Sequence, residues 1–273
     1  MKHSTRLWIS IVAGSCAVIS ACGGSSTPSP GGGDGSLARV QKAGVLKVCS
    51  VDGLLPYSSS DPSEPGFEVL IAQAVASQLG VKDQEVFTTF DGLVAALLSK
   101  RCDVIIDGLF ITTQREKAIS FSAPYYASGE AILVQKDNNT VHGIQDLVGK
   151  NVGVLSGSVT VSLLQNAHIG NLKIYPDQNT IILELSNGRI DAGFLEAPSA
   201  AWALQQQATL NVKLVKSYVP SQRFDAGIGV RKEDVQLREA LSTAVNALIA
   251  NGSIARFLNE YGVPFYPVVP VPH

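Results

Sequence analysis

"FITTQREKAISFSAPYY", residues 110–126, carries a break of a local rule. A threonine-led helix start is followed at once by Arg115. The start of a helix carries partial positive charge, so a cation in its first turn is normally mildly unfavourable. Thr113 and Glu116 have the spacing of a capping box, which places Arg115 in that first turn. Just upstream, "CDVIIDG" (residues 102–108) reads as a buried strand from its apolar run, with Gly108 at its end. In open α/β sheets ligands bind beyond the carboxyl ends of strands. A glycine there lets a ligand approach the backbone. Helix-start N–H groups and a guanidinium facing one crevice suit a carboxylate, which arginine grips with two parallel hydrogen bonds. The ordinary alternative is a solvated surface arginine. Breaks of local rules gather at functional sites, which favours the binding reading.

Working outward, the chain alternates strand-like and helix-like segments. "VLKVCSV" reads as a strand, "FEVLIAQAVASQLG" as a helix ending at Gly80, and "EVFTTF" as a strand. "DGLVAALLSK" reads as a helix capped by Asp91. The series restarts after the polar stretch "ILVQKDNNTVHGIQDLVGK" with "NVGVLSG", "VTVSLLQNA", "KIYP", "NTIILELSNGR", "DAGFLEA", "SAAWALQQQ" and "VKLVKS". Such alternation predicts parallel sheets flanked by helices, and the restart predicts two lobes. "EDVQLREALSTAVNALIAN" and "SIARFLNEYG" are helical cladding, and the Pro-rich tail "VPFYPVVPVPH" reads as extended.

The 273 residues carry a net charge of -2, with 16% charged and 45% hydrophobic residues, which fits neither a basic nucleic-acid binder nor a disordered acidic chain. "MKHSTR" followed by "LWISIVAGSCAVIS" reads as a signal peptide, too short in its apolar part for a permanent span. It ends in "ISACGG", which resembles a bacterial lipobox. Cleavage would leave Cys22 as a lipidated N-terminus, holding the protein to a bilayer through its acyl chains. An ordinary secretory signal is the alternative, and cleavage before Cys16 would truncate the apolar region. "GGSSTPSPGGGDGS" then reads as a tether too poor in apolar residues to order itself. Cys49 and Cys102 remain; the oxidising compartment permits a disulfide, but two buried free thiols are the favoured reading. His3, His142, His168 and His273 have no metal-ligand spacing, and no metal or cofactor is expected.

Two further elements could serve a ligand. "VGVLSGSVTV" is strand, Gly-Ser turn and helix start, a second anion site around Ser158 and Val159 unless Ser158 merely caps the helix. Glu196 ends an apolar strand, where a carboxylate could balance an ammonium or simply face solvent.

The ordered set "GVLKVCS", "GFEVLIAQAVASQLG", "ITTQREKAISFSAPYYASG", "LVGKNVGVLSGS" and "GRIDAGFLEAPSA" resembles the amino-acid-binding branch of the extracellular solute-binding proteins, family 3, from about Ser36 to Gly262. The resemblance implies an α/β clamshell with two strand crossovers as hinge. Its parts would be a signal peptide over 1–21, a tether over 22–35, lobe 1 over 36–124 and 224–273, and hinge strands with lobe 2 over 125–223. It implies that Arg115 grips a carboxylate, that Gly108 offers its backbone to an amino group, and that Phe90 packs on the ligand side chain. Ser158 and Val159 fall where main-chain N–H groups meet the carboxylate, and Glu196 where an aspartate holds the amino group. Partners would be an amino acid, an ABC permease with its ATPase, and the bilayer; a monomer outside the cytoplasmic membrane is expected, with no nucleic acid.

Departures shape the ligand. Glu196 replaces the usual aspartate, Phe110 stands in place of Ser or Thr, and Leu54 in place of an aromatic. The expected lining of Leu54, Tyr57, Phe90, Phe110, Leu155 and Phe194 suits a neutral amino acid or a related small carboxylate. An enzyme alternative exists, because cyclohexadienyl dehydratases share the fold. Their additional acid falls on Ser199 here, which leaves Glu196 as the one candidate proton donor. A sensor module is the weakest reading.

Overall fold

β1 (Val45–Ser50), β2 (Lys82–Phe87) and β3 (Val104–Ile105) run parallel, as the strand–helix alternation predicts. The computed structural model describes residues 34–206, 209–220 and 223–264. The signal peptide, Cys16, Cys22, nearly all of the tether and the tail beyond residue 264 lie outside the described residues. β4 (Ser120–Phe121) and the returning β12 (Gly229–Val230) complete a first sheet of order β2-β1-β3-β12-β4, with β12 antiparallel to both of its neighbours. The second sheet is built from β6 (Glu130–Val134), β7 (Val152–Leu155), β8 (Leu172–Tyr175), β9 (Ala192–Glu196) and β10 (Lys213–Leu214), in the order β10-β6-β9-β7-β8. Between the sheets β5 (Tyr126–Ser128) pairs antiparallel with β11 (Phe224–Ala226), a two-stranded hinge. The fold is a two-lobe α/β clamshell, each lobe holding one sheet.

Helix α2 (Phe67–Gln78) shows why lobe 1 closes. Phe67, Ile71, Ala72, Val75 and Ala76 are fully buried against the sheet and against α8 (Val235–Ala250) and α9 (Ser253–Glu260). Burying each large apolar side chain contributes about 1.5–3 kcal/mol before chain entropy is subtracted. α8 also packs on α1 (Ser36–Ala43), the cladding that the C-terminal helical pattern predicts. In lobe 2, Gly153 and Gly193 lie side by side on β7 and β9. A Cβ on Gly153 would sit 2.8 Å from Ile181 of α6 (Gln178–Ser186), so the bare backbone lets that helix close on the sheet.

Three local expectations are corrected. Cys49 and Cys102 form a disulfide across a Cα separation of 5.6 Å, not two free thiols. The separation lies in the range a disulfide needs, and only the pairing of β1 with β3 creates it. The strand expected over 102–108 shortens to β3, and at its start the Asp103 carboxylate takes the Lys47 N–H at 3.1 Å. Asp91 does not cap α3 (Leu93–Leu98). It lies inside a 3-10 turn, Phe90–Gly92, and its carboxylate accepts from the hydroxyls of Thr89 and Ser156.

Candidate functional site: the cleft between the lobes

Five strand ends converge on one cleft. β1 leads to Tyr57, β2 to Phe90, β3 to Gly108, β7 to Ser158, and β9 ends in Glu196. All of them follow parallel-paired strands at their carboxyl ends, the place where open sheets bind ligands.

Arg115 sits in α4 (Thr113–Glu116). The cap is Thr112, whose Oγ1 accepts from the Arg115 N–H at 3.2 Å. The expected Thr113–Glu116 capping box does not form: the cap lies one residue earlier, and Arg115 keeps its first-turn position. Its Nη1 donates to the Phe110 carbonyl at 2.7 Å, and Nη2 reaches across the cleft to the Gly157 carbonyl at 3.1 Å. The guanidinium carbon stands 5.7 Å from the centre of the Phe90 ring. Burial lowers the Arg115 pKa to about 10, against the pull of the Glu196 charge. No carboxylate of the described residues forms an ion pair with it.

A cavity of about 400 Å³ beside Arg115 is lined by Val94, Thr112, Ser158, Val159, Leu163 and Phe224 among others. It brings three expected residues, Arg115, Ser158 and Val159, together. Ser158 precedes α5 (Val159–Asn166), yet its side chain does not cap that helix: Oγ donates back to the Leu155 carbonyl at 2.8 Å. The Ser158 N–H also points to Leu155, at 3.2 Å.

The deeper half of the cleft is anionic. Glu196 is buried, and its Oε2 accepts from the Tyr57 hydroxyl at 2.7 Å, a bond from one lobe to the other. Burial raises the Glu196 pKa to about 7, opposed by the Tyr57 bond and by Arg115. Gly108 is the seat of Tyr57. Its φ of 61° and missing side chain seat the Tyr57 ring, which a Cβ would meet at 2.7 Å. The Gly108 N–H donates to Glu68 Oε1 at 2.8 Å.

Glu68 escaped the sequence reading. It is fully buried and also accepts from the hydroxyls of Tyr125 at 2.8 Å and Tyr126 at 3.1 Å. It thereby ties the start of α2 and the end of β3 to the hinge. Burial raises its pKa to about 7 even with these three donors opposing. One signal was available: an acid between Phe67 and Val69, the one charged residue of α2. Nearby, Ser58 Oγ lies 2.6 Å from both the Val51 carbonyl and Asp107 Oδ1. Burial pushes the Asp107 carboxyl well above its ordinary value, opposed by the Ser58 bond.

The expected apolar lining is only partly present. Phe90 lies under Arg115, and Leu54, Tyr57, Phe110 and Leu155 are buried in the core that runs between the lobes. The Phe110 ring stacks on Phe224 at 5.7 Å. Phe194 is corrected: strand alternation turns it into the lobe 2 core beside Tyr218, away from the cleft. Among the described residues no cluster could hold a metal ion, and no helix is long and apolar enough to cross a membrane.

The family model of bacterial extracellular solute-binding proteins, family 3, matches residues 46–264, and the chain belongs to that family. It is 34% identical over 226 residues to the L-cystine-binding protein TcyJ of Escherichia coli strain K12, covering 81% of this chain and 84% of that protein. Among solved structures it is similar to holo ArgBP from T. maritima, with a TM-score of 0.73, 30% identity, and coverage of 82% of this chain and 98% of that one. It also resembles AncCDT-1, an ancestral amino acid-binding protein described as a precursor of cyclohexadienyl dehydratase. That match has a TM-score of 0.75 and 27% identity, and covers 83% of this chain and 98% of the other.

Proposed function

We propose that this protein captures a neutral amino acid or a related small carboxylate outside the cytoplasmic membrane and delivers it to an ABC permease and its ATPase. The observation that carries this is Arg115 between two carbonyls, facing the start of α5, with Glu196 in the same cleft on the opposite lobe. A bound carboxylate replaces the Gly157 carbonyl as the Nη2 partner and gains the Val159 end of α5. The ammonium goes to Glu196, which exchanges its Tyr57 bond for a charged one. Val94, Leu163 and Phe224 line the cavity with apolar surface, which favours a neutral side chain. Phe90 and Phe110 hold the guanidinium in place, and Leu54 and Tyr57 close the deep wall.

The proposed organisation is a signal peptide over 1–21, a tether over 22–35, lobe 1 over 36–124 and 224–273, and hinge strands with lobe 2 over 125–223. The anchor is acyl-modified Cys22 in the bilayer, and the protein acts as a monomer. Support comes from "ISACGG" and the Gly/Ser/Pro stretch after it.

A dehydratase reading draws on the AncCDT-1 likeness and on a Glu196 pKa raised to about 7. Ser199, where those enzymes carry an extra acid, is a buried hydroxyl with no partner among the described groups, so binding without chemistry is preferred. The test is a thermal-shift screen of the mature protein against the amino acids and small carboxylates, with prephenate and arogenate turnover assayed in parallel. A ligand at a hundred times its dissociation constant stabilises by about 2.7 kcal/mol. No stabilising amino acid or small carboxylate refutes the binding reading, and turnover establishes the enzyme.

A further inference from the structure

A second cavity, of about 280 Å³, opens between the lobes away from Arg115, and it shares no wall residue with the cavity there. Lobe 1 supplies Gly53 and Glu64, the start of α6 supplies Gln178 and Asn179, and α7 (Ala197–Gln206) supplies Trp202 and Gln206. The lobes touch at its rim, where the Asn179 amide donates to the Gly53 carbonyl at 3.5 Å. Gln178 is 6% exposed, yet its side-chain amide has no hydrogen-bond partner among the described residues. The amide is not shut from solvent; it opens on the cavity. A side-chain amide carries two donors and a two-sided acceptor, and leaving them unmatched when buried is costly. The Glu64 carboxylate and the Trp202 indole N–H, both half-buried on the same walls, also lack hydrogen-bond partners among the described residues. Glu64 is the one charged residue on these walls.

We propose that this cavity is a second ligand site, for a small neutral polyol. Two neighbouring hydroxyls pair with the Gln178 amide, one donating and one accepting. A further hydroxyl donates to Glu64, and another accepts from Trp202 Nε1. A hydroxyl both donates and accepts, so a polyol answers the amide, the carboxylate and the indole together. An anion is repelled by Glu64, and an ammonium leaves the N–H groups of Gln178 and Trp202 unmatched. The volume lies at the lower end of small-molecule sites, which fits a compact ring. Because the walls come from both lobes, an occupant favours the closed form.

The probe is myo-inositol, titrated into the mature protein and followed by backbone amide NMR, with cyclohexanol, the same ring with one hydroxyl, as the comparison. The expected result is saturable shifts centred on Gly53, Asn179 and Trp202, with Gly157 and Val159 beside Arg115 unmoved. Cyclohexanol should bind at least tenfold more weakly than myo-inositol. Gln178→Leu, which keeps the bulk and removes the amide, should weaken myo-inositol binding at least tenfold. Glu64→Ala, on the lobe 1 wall, should do the same, and it decides the matter if Gln178→Leu does not fold. Absence of saturable shifts overturns the site. So do shifts centred on Gly157 and Val159, equal binding of cyclohexanol, or unchanged binding in folded Gln178→Leu or Glu64→Ala.

Discussion

The two lobes meet the cleft with different chemistry. Lobe 1 brings side chains held in place: Arg115 by the Phe110 carbonyl and the Phe90 ring, Tyr57 by Gly108 and the Phe67 ring, and Glu68 by three donors. Lobe 2 brings mostly backbone, the Gly157 carbonyl and the start of α5, with Glu196 as its one charge on the cleft. Lobe 1 also carries the Cys49–Cys102 link, set between the first and third strands of its sheet. On the proposed function, the difference means that the binding geometry is stored in lobe 1 and that lobe 2 completes it on closure. Preorganised groups lose little entropy on binding, so the rigid half sets affinity and the lighter half sets the closing equilibrium.

The largest expected effect tests the stored rigidity. The disulfide closes a sequence separation of 53 residues. Loop-closure entropy puts its contribution at about 4 kcal/mol. Cys49→Ser with Cys102→Ser should lower unfolding stability by an amount of that order in denaturant titrations. A loss under about 1 kcal/mol would mean that the link adds nothing to lobe 1.

Next comes Arg115→Ala. Truncating one partner of a buried ion pair costs roughly 2–5 kcal/mol. Calorimetry with the screened ligand should show affinity down by at least tenfold, with Arg115→Lys recovering part, because an ammonium lacks the two-pronged grip. Near-wild-type affinity in a folded Arg115→Ala would move the binding energy to lobe 2.

A pH series separates the halves further. Glu68 and Glu196 both have folded pKa values raised from 4.5 to about 7. The folded state therefore holds more protons than the unfolded chain between those values. Stability from these groups is fully present below about 4.5 and is lost as pH rises through about 7. Melting temperature should fall across that window, and Glu68→Gln should flatten the slope. An unchanged slope would show Glu68 ionised throughout, held by its three donors.

The smallest effect belongs to the closing contact between Ser156 and Asp91, 2.8 Å long and exposed. Ser156→Ala should shift the ligand-free protein toward the open form by no more than about 1 kcal/mol, as exposed charged contacts do. Small-angle scattering would read this as a slight increase in radius of gyration. A collapse of the closed form would make this contact, and not Arg115 or Glu196, the main latch.

Much of the clamshell is legible along the chain. The alternation of apolar runs and 3.6-period segments marks β1, α2, β7 and β9, because those patterns are local properties of the backbone and its buried face. Arg115 was legible for a related reason: it contradicts the local electrostatics of a helix start. What escaped depends on partners distant in sequence. Glu68 meets Tyr125 and Tyr126 across 57 and 58 residues, and Tyr57 meets Glu196 across 139. Phe194 was assigned to the wrong face because a strand's period names two faces without saying which one meets the cleft.

The sequence by itself determined the alternating α/β order and the cation at the strand end, since each is written in spacing and residue type over a few positions. Only the tertiary structure decided that Cys49 meets Cys102, that Gly108 seats Tyr57, and that Glu68, Glu130 and Glu196 lie buried. Burial, pairing distance and pKa are set by what other segments bring within a few ångströms, and no local pattern in a chain encodes that proximity.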